Sequence, residues 1–277
     1  SPERGRMSQI LMKSERDLGA MISFDVRKDK HPLKKIKIDL GVFNGQGLNA
    51  PGEFDNVKDF IGRVALKPVK LSPKISLSAG TSFLYGGLES NTKYLYRTET
   101  VQGMKIEVLD STQSNLGYVA PRHYAGVDAQ LKIKNRKGYT EFRVEWISGK
   151  QTGTLNSSET PNALLTGADG FHIRRFNGAY IYFLQHLFSP YHQLILKYDW
   201  YDPNSAVSGN EIGAAGSNLG AANVKFSTLG IGYGYTISEN VRLTIYYDRV
   251  RNEQTQLPGF TTDRSDDVLT TRMQFRF

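Results

Sequence analysis

Cysteine is absent from the 277 residues, which removes disulfide scaffolds, thiolate zinc sites and cysteine nucleophiles in one step. Histidine is scarce, with 5 in the chain. His186 and His192 straddle a turn at Pro190, His31 and His123 stand alone, and no metal site is spaced among them. Long apolar runs are also lacking. The longest stretch without Asp, Glu, Lys or Arg, 176–196, is broken by Asn177, Gln185, Pro190 and His192 and makes a poor helical membrane span. The opening Ser1-Pro2-Glu3-Arg4-Gly5-Arg6 has no apolar signal-peptide core. These absences exclude a membrane protein built of helices. One built of strands stays open.

Aromatic residues make up 11% of the chain, against the composition of a disordered protein. Lys+Arg is 35 against Asp+Glu 27, a net charge of +8, which favours anionic partners such as nucleic acid, lipid phosphate or small anions. The hydropathy has a period of two almost throughout. Leu269, Thr271, Met273, Phe275 and Phe277 alternate with Thr270, Arg272, Gln274 and Arg276. Val241, Leu243, Ile245 and Tyr247 oppose Arg242, Thr244, Tyr246 and Asp248, and Phe142, Val144 and Trp146 oppose Glu141, Arg143 and Glu145. Eleven such runs are predicted: 18–29, 34–43, 58–69, 75–86, 120–134, 138–149, 174–187, 191–202, 223–236, 240–252 and 266–277. No segment reads as a helix.

The connections alternate between short turns, near 30–33, 70–74, 135–138, 188–190 and 237–239, and long polar loops, near 44–57, 87–119, 150–172, 203–222 and 253–265. Tight turns at one end and long loops at the other describe an all-β, antiparallel transmembrane barrel of the bacterial outer membrane. A soluble sandwich or lipocalin-like barrel also alternates. Against it stand rows of charge of both signs on the polar faces. The apolar faces carry aromatics toward strand ends, at Tyr85, Trp146, Trp200, Tyr233, Tyr235 and Phe277. Nucleic-acid binding accounts for the basic charge but not for these outer faces. Single-chain bacterial barrels have an even strand number, and eleven is odd. Either one strand escapes the pattern, or an odd number precedes residue 1, and the second is expected.

Several segments carry a family resemblance. Ser14-Glu15-Arg16-Asp17-Leu18-Gly19-Ala20-Met21, Gly41-Val42-Phe43-Asn44-Gly45-Gln46-Gly47 and Leu196-Lys197-Tyr198-Asp199-Trp200-Tyr201-Asp202-Pro203 are three of them. Asn240 to Asp248 and the closing Arg272-Met273-Gln274-Phe275-Arg276-Phe277 are two more. Together they resemble the phosphate-selective porin O and P family, in its Bacteroidetes form. The resemblance implies a sixteen-stranded barrel, usually trimeric, whose third loop folds into the lumen. Residues 1–17 are then expected to be the tail of that loop, residues 18–277 barrel wall, and five strands to lie upstream. The implied function is diffusion of small hydrophilic solutes, with anions such as phosphate preferred. Lipid and lipopolysaccharide are the expected surroundings, with no cofactor and no catalysis.

A diffusive pore needs a hydrated path and charges at its narrow point, and arginine suits oxyanions through its planar fork. By parity Arg63, Lys67, Arg122, Lys132, Arg143, Lys197, Arg242, Arg272 and Arg276 face inward, and the implied inward loop adds Arg4, Arg6, Lys13 and Arg16. Arg4, Arg6, Lys13, Arg16, Arg63, Arg122, Arg143, Lys197, Arg242 and Arg272 are the candidate anion contacts. Asp39, Asp128, Glu141, Glu145, Asp199 and Asp248 share that face, so a mutually paired charge network is the alternative to a ladder of cations. Gly230-Ile231-Gly232-Tyr233-Gly234 puts its glycines on one strand face, which reads as close backbone approach in the wall and not as a nucleotide loop. Two other roles remain: a surface adhesin using the 87–119 loop, and a barrel-embedded hydrolase drawing on Ser76, Ser78 or Ser82. Phe277 ends an aromatic terminal strand of the kind that barrel-assembly machinery reads.

Overall fold

A computed structural model describes residues 5–12, 16–28, 30–48, 50, 52–166 and 169–276. The alternating runs pair into one antiparallel sheet. Its continuous path takes β1 (Gly19–Asp25), β2 (Ile36–Phe43), β3 (Asp59–Lys70) and β4 (Ile75–Glu89), then β7 (Val119–Asn135), β8 (Gly138–Gly153) and β9 (Phe171–His186). It continues through β10 (His192–Asp202), β11 (Phe226–Ser238), β12 (Val241–Asn252) and β13 (Val268–Phe275). These eleven strands match the eleven predicted runs. Short connections gather at one rim and long ones at the other. Among the described residues the path is open, with β1 and β13 as its edges, both running in the same direction.

Two elements differ from expectation. The 87–119 segment, read as loop alone, contains a hairpin of β5 (Leu95–Val101) and β6 (Met104–Asp110), which brings the sheet to 13 strands. Its turn is Gln102-Gly103, with both residues at positive φ (52° and 83°), the backbone that a two-residue hairpin loop demands. β8 occupies one edge of residues 172–173, so β5 pairs in parallel with the other edge, where β10 has already ended. The segment expected to hold no helix contains α1 (Arg6–Leu11), a helix of little more than one turn.

The two faces of the wall differ as lipid and water require. Leu269 is 70% exposed and Leu229 58%, and Val127, Phe142, Ile181, Ile231 and Ile245 stand out on the same side. Tyr85, Trp146, Tyr233 and Tyr235 are exposed toward the rims, as expected for interfacial girdles. Trp200 is half-buried and donates its indole N–H to Asn177 Oδ1 (3.0 Å), while Phe277 lies outside the described residues.

On the inner face the glycines of β11 set the packing. The fully buried ring of Tyr246 lies across β11, so that a Cβ at Gly230 or Gly232 would strike it. Arg242 crosses Gly234 in the same way. The glycine run is thus a close-approach stripe, as read from the sequence. Gly232→Val is expected to cost about 1–3 kcal/mol by overpacking, measured as a lower unfolding midpoint. An unchanged midpoint would show that Tyr246 yields freely.

Candidate functional site

α1 rests on the inward face of the wall. Met7 and Leu11 are buried against Leu84, Tyr124, Phe176 and Tyr201, and the helix approaches the backbone at Gly178, where a Cβ would lie 2.9 Å from Met7 Cβ. Beneath it is a cavity of about 420 Å³, where Arg16, Arg63 and Arg122 are matched by Asp17, Asp39, Asp59 and Glu159.

Arg122 is buried there and fully engaged. It donates to Asp59 Oδ2 (2.7 Å), Gly45 O (2.6 Å), Tyr124 Oη (3.3 Å) and Leu11 O (3.5 Å), joining β3, β7, the 44–58 loop and α1. Arg63 pairs with Asp128 at 2.7 Å and remains half-exposed. Arg6 stacks its guanidinium 4.4 Å above the Phe226 ring. Arg4 and Lys13 lie outside the described residues.

Farther along, Lys197 sits between Asp199 (2.9 Å) and Asp248 (3.1 Å), all three buried beneath Tyr246. Arg143 donates its Nε to the buried Glu141, which also accepts from Gln130. Lys67 bonds Asp25 at 2.5 Å, and Lys132 lies 3.9 Å over the Tyr139 ring. Much of the inner wall is therefore a paired network.

In one stretch, cations converge on a cavity with no acid in its lining. A cavity of about 280 Å³ between β8, β9, β10, β12 and β13 is lined by Arg143, Arg242 and Arg272, and no carboxylate lines it among the described residues. The glycine stripe makes it possible. Because β11 carries no side chains there, Arg242 reaches across to donate to Gln193 Oε1 (2.6 Å), and Gln193 donates on to Tyr139 Oη (3.4 Å). Gln193 and Gln274 share the parity of Lys197 and Arg272, so a search for polar as well as charged inward residues would have found them.

Parity alone did not find the buried cluster at the loop rim. His172 Nδ1 lies 2.7 Å from Glu107 Oε1, and Arg174 bonds Asn223 Oδ1 (3.0 Å) and Thr154 O (3.0 Å). Glu107 belongs to β6, so the cluster exists only once the hairpin has folded over. Glu211 fastens the same hairpin. Burial would raise its carboxyl, but backbone N–H groups of Ser208 (2.7 Å) and Lys105 (3.0 Å) outweigh it and hold the group below its usual value. In the 44–58 loop, burial pushes the Asp55 carboxyl up, against donation from the backbone of Glu89 and Val57.

No family profile and no curated protein matches the sequence. Among solved structures the chain is similar to a loop-deleted form of OmpT, an outer membrane protein of Vibrio cholerae, at 7% identity and a TM-score of 0.44, over 92% of this chain and 62% of that one. It is also similar to a variant of the ferric enterobactin receptor of Pseudomonas aeruginosa (12%, 0.43, covering 92% and 39%). The siderophore receptor PirA from Acinetobacter baumannii is a third (9%, 0.41, covering 94% and 38%). The chain thus spans about three-fifths of the first and two-fifths of the others. The sheet speaks for itself: an antiparallel wall, apolar outside and charged inside, with short turns at one rim and long loops at the other, is the outer-membrane type.

Proposed function

We propose that the chain forms the wall of a water-filled pore in the bacterial outer membrane, passing small hydrophilic solutes with a preference for anions, phosphate and other oxyanions included. The observation that carries the anion preference is the cavity ringed by Arg143, Arg242 and Arg272 with no carboxylate in its lining among the described residues. A passing anion there meets guanidinium groups converging from three strands, charges of the kind that lower the cost of an anion in a pore. Arg143 also donates to the buried Glu141 behind the lining, so the preference rests on the convergence of three guanidinium groups and not on their being unpaired. In this reading residues 1–17 belong to a loop folded into the lumen, consistent with α1 on the inner face, and the pore works as a trimer without catalysis.

The test is the zero-current potential of the full-length protein in a planar bilayer under a potassium chloride gradient. The anion-selective sign is expected. Replacing Arg143, Arg242 and Arg272 together with glutamine is expected to move the potential toward the cation-selective sign. An unchanged potential in the triple variant rejects this cavity as the source of selectivity. Absence of any conductance rejects the pore.

A further inference from the structure

The outward face carries a second charged feature, at the loop rim. Phe60, Tyr85, His123, Lys150 and Arg175 stand abreast in one row of paired residues running from β3 to β9. Their parity is opposite to that of Arg122, Gln151 and Arg174, which face inward. The row begins in two aromatics, Phe60 and the interfacial Tyr85, and ends in two cations directly across from each other. Like charges on directly opposed residues destabilise a strand pair. The neighbouring strand adds a third cation, since β5 pairs in parallel with β9 and sets the exposed Arg97 opposite Ile173. Lys150 and Arg175 have no carboxylate partner among the described residues. A cavity of about 330 Å³ opens at the notch where β10 ends and β5 begins, lined by Arg97, Lys150 and Arg175 and, among the described residues, by no acid. Asn204, fully buried, also lines it; its Nδ2 donates to Thr98 and Asn223, and its Oδ1 has no donor among the described residues.

Depth identifies the occupant. Lys150 lies four residues loopward of Trp146 on the same strand and face, about 13 Å along the chain at 3.3 Å per residue. With a strand tilt near 45°, that is about 9 Å along the membrane normal. Polar headgroups occupy the first several ångströms outside the hydrocarbon. Taking the chain as an outer-membrane wall, with its long loops outside, this puts Lys150 at the outer edge of the headgroup layer, where a long side chain still reaches the outer-leaflet phosphates. We propose that Lys150, Arg175 and Arg97 form a binding site for the phosphorylated amino-sugar headgroup of lipopolysaccharide. The cations take the phosphate, and Asn204 Oδ1 accepts from a sugar hydroxyl or amide. The bound phosphate offsets the repulsion between Lys150 and Arg175.

The experiment compares the full-length protein in detergent with a Lys150→Gln/Arg175→Gln variant, by calorimetric titration with deep-rough lipopolysaccharide and, separately, with inorganic phosphate. At least tenfold weaker lipopolysaccharide binding is expected in the variant. Heat-modifiable gel mobility checks its folding. A Lys134→Gln/Arg136→Gln variant at the opposite rim is expected to bind as the parent does. Equal binding by the first variant, or equal weakening in the second, overturns the proposal. So does full displacement of lipopolysaccharide by millimolar phosphate, which makes the cluster a site for a free anion. The zero-current potential of the first variant is expected to match the parent's, so failure of the lipid site and failure of the pore are separate results.

Discussion

Replacing Arg122 with alanine is expected to destabilise the folded protein by about 3–5 kcal/mol, the cost of breaking a buried ion pair by removing one partner. The side chain is 9% exposed and Asp59 is 2%, so the stranded carboxylate cannot turn to water without opening the loop end of β3. Arg122 also supplies donors to Gly45 O and Leu11 O, and loses both with the mutation. The second effect is therefore on α1, which loses the Arg122 bond to Leu11 O and keeps its apolar seat and the stacking of Arg6 on Phe226. Equilibrium unfolding followed by tryptophan fluorescence reads the first effect. If the chain forms the proposed pore, a higher, noisier single-channel conductance reads the second. Arg122→Lys is expected to recover only part of the stability, because one ammonium cannot cover donors spread over a planar fork. Loss of less than about 1 kcal/mol in the alanine variant would place Arg122 among the surface pairs, whose worth is small.

Lys197→Met is expected to be comparably severe, again about 3–5 kcal/mol. Lys197, Asp199 and Asp248 have side chains 3%, 1% and 6% exposed, and one ammonium serves two carboxylates. Without it two like charges face each other beneath Tyr246. The sign of the imbalance gives the control: Lys197→Met combined with Asp199→Asn and Asp248→Asn is expected to be more stable than Lys197→Met alone. If the triple variant is no better, the loss comes from packing and not from charge. Arg6 adds a positive charge acting on both carboxylates, so removing α1 is expected to aggravate the single variant more than the triple.

The wall was legible because alternation survives wherever one face meets lipid and the other water, and strands of 7 to 17 residues carry enough of it to leave little ambiguity. Leu269 to Phe275 and Val241 to Tyr247 announce their strands and faces without help from context. The β5–β6 hairpin was missed because Tyr96, Arg97, Thr98 and Glu99 of β5 present no apolar face, although Met104, Ile106 and Val108 of β6 alternate with Lys105 and Glu107 and were a usable signal. Its stability comes from β9 and from Glu107, bonded to His172 62 residues after β6 ends at Asp110. α1 is too short to show a helical period, and only its seat on Phe176 and Tyr201 makes it a helix. For the site, parity placed Arg143, Arg242 and Arg272 on one face. It could not show that they surround one cavity, because that depends on β11 lacking side chains between them. Nor could it show which cations are neutralised in place, since the partners of Arg122 and Lys197 come from distant strands.

The stripe at Gly230, Gly232 and Gly234 makes two neighbouring strands share one volume, and heredity should show it. A side chain gained at 232 is tolerable only if the ring at 246 shrinks, and one gained at 234 only if 242 is shortened. Related sequences are therefore expected to vary at these positions in compensating pairs. A lineage that fills the stripe would shed Arg242's bridge to Gln193, and with it one of the three guanidinium groups of the acid-free cavity. In the proposed pore, ion preference would then drift through changes on a strand that carries no charge there at all.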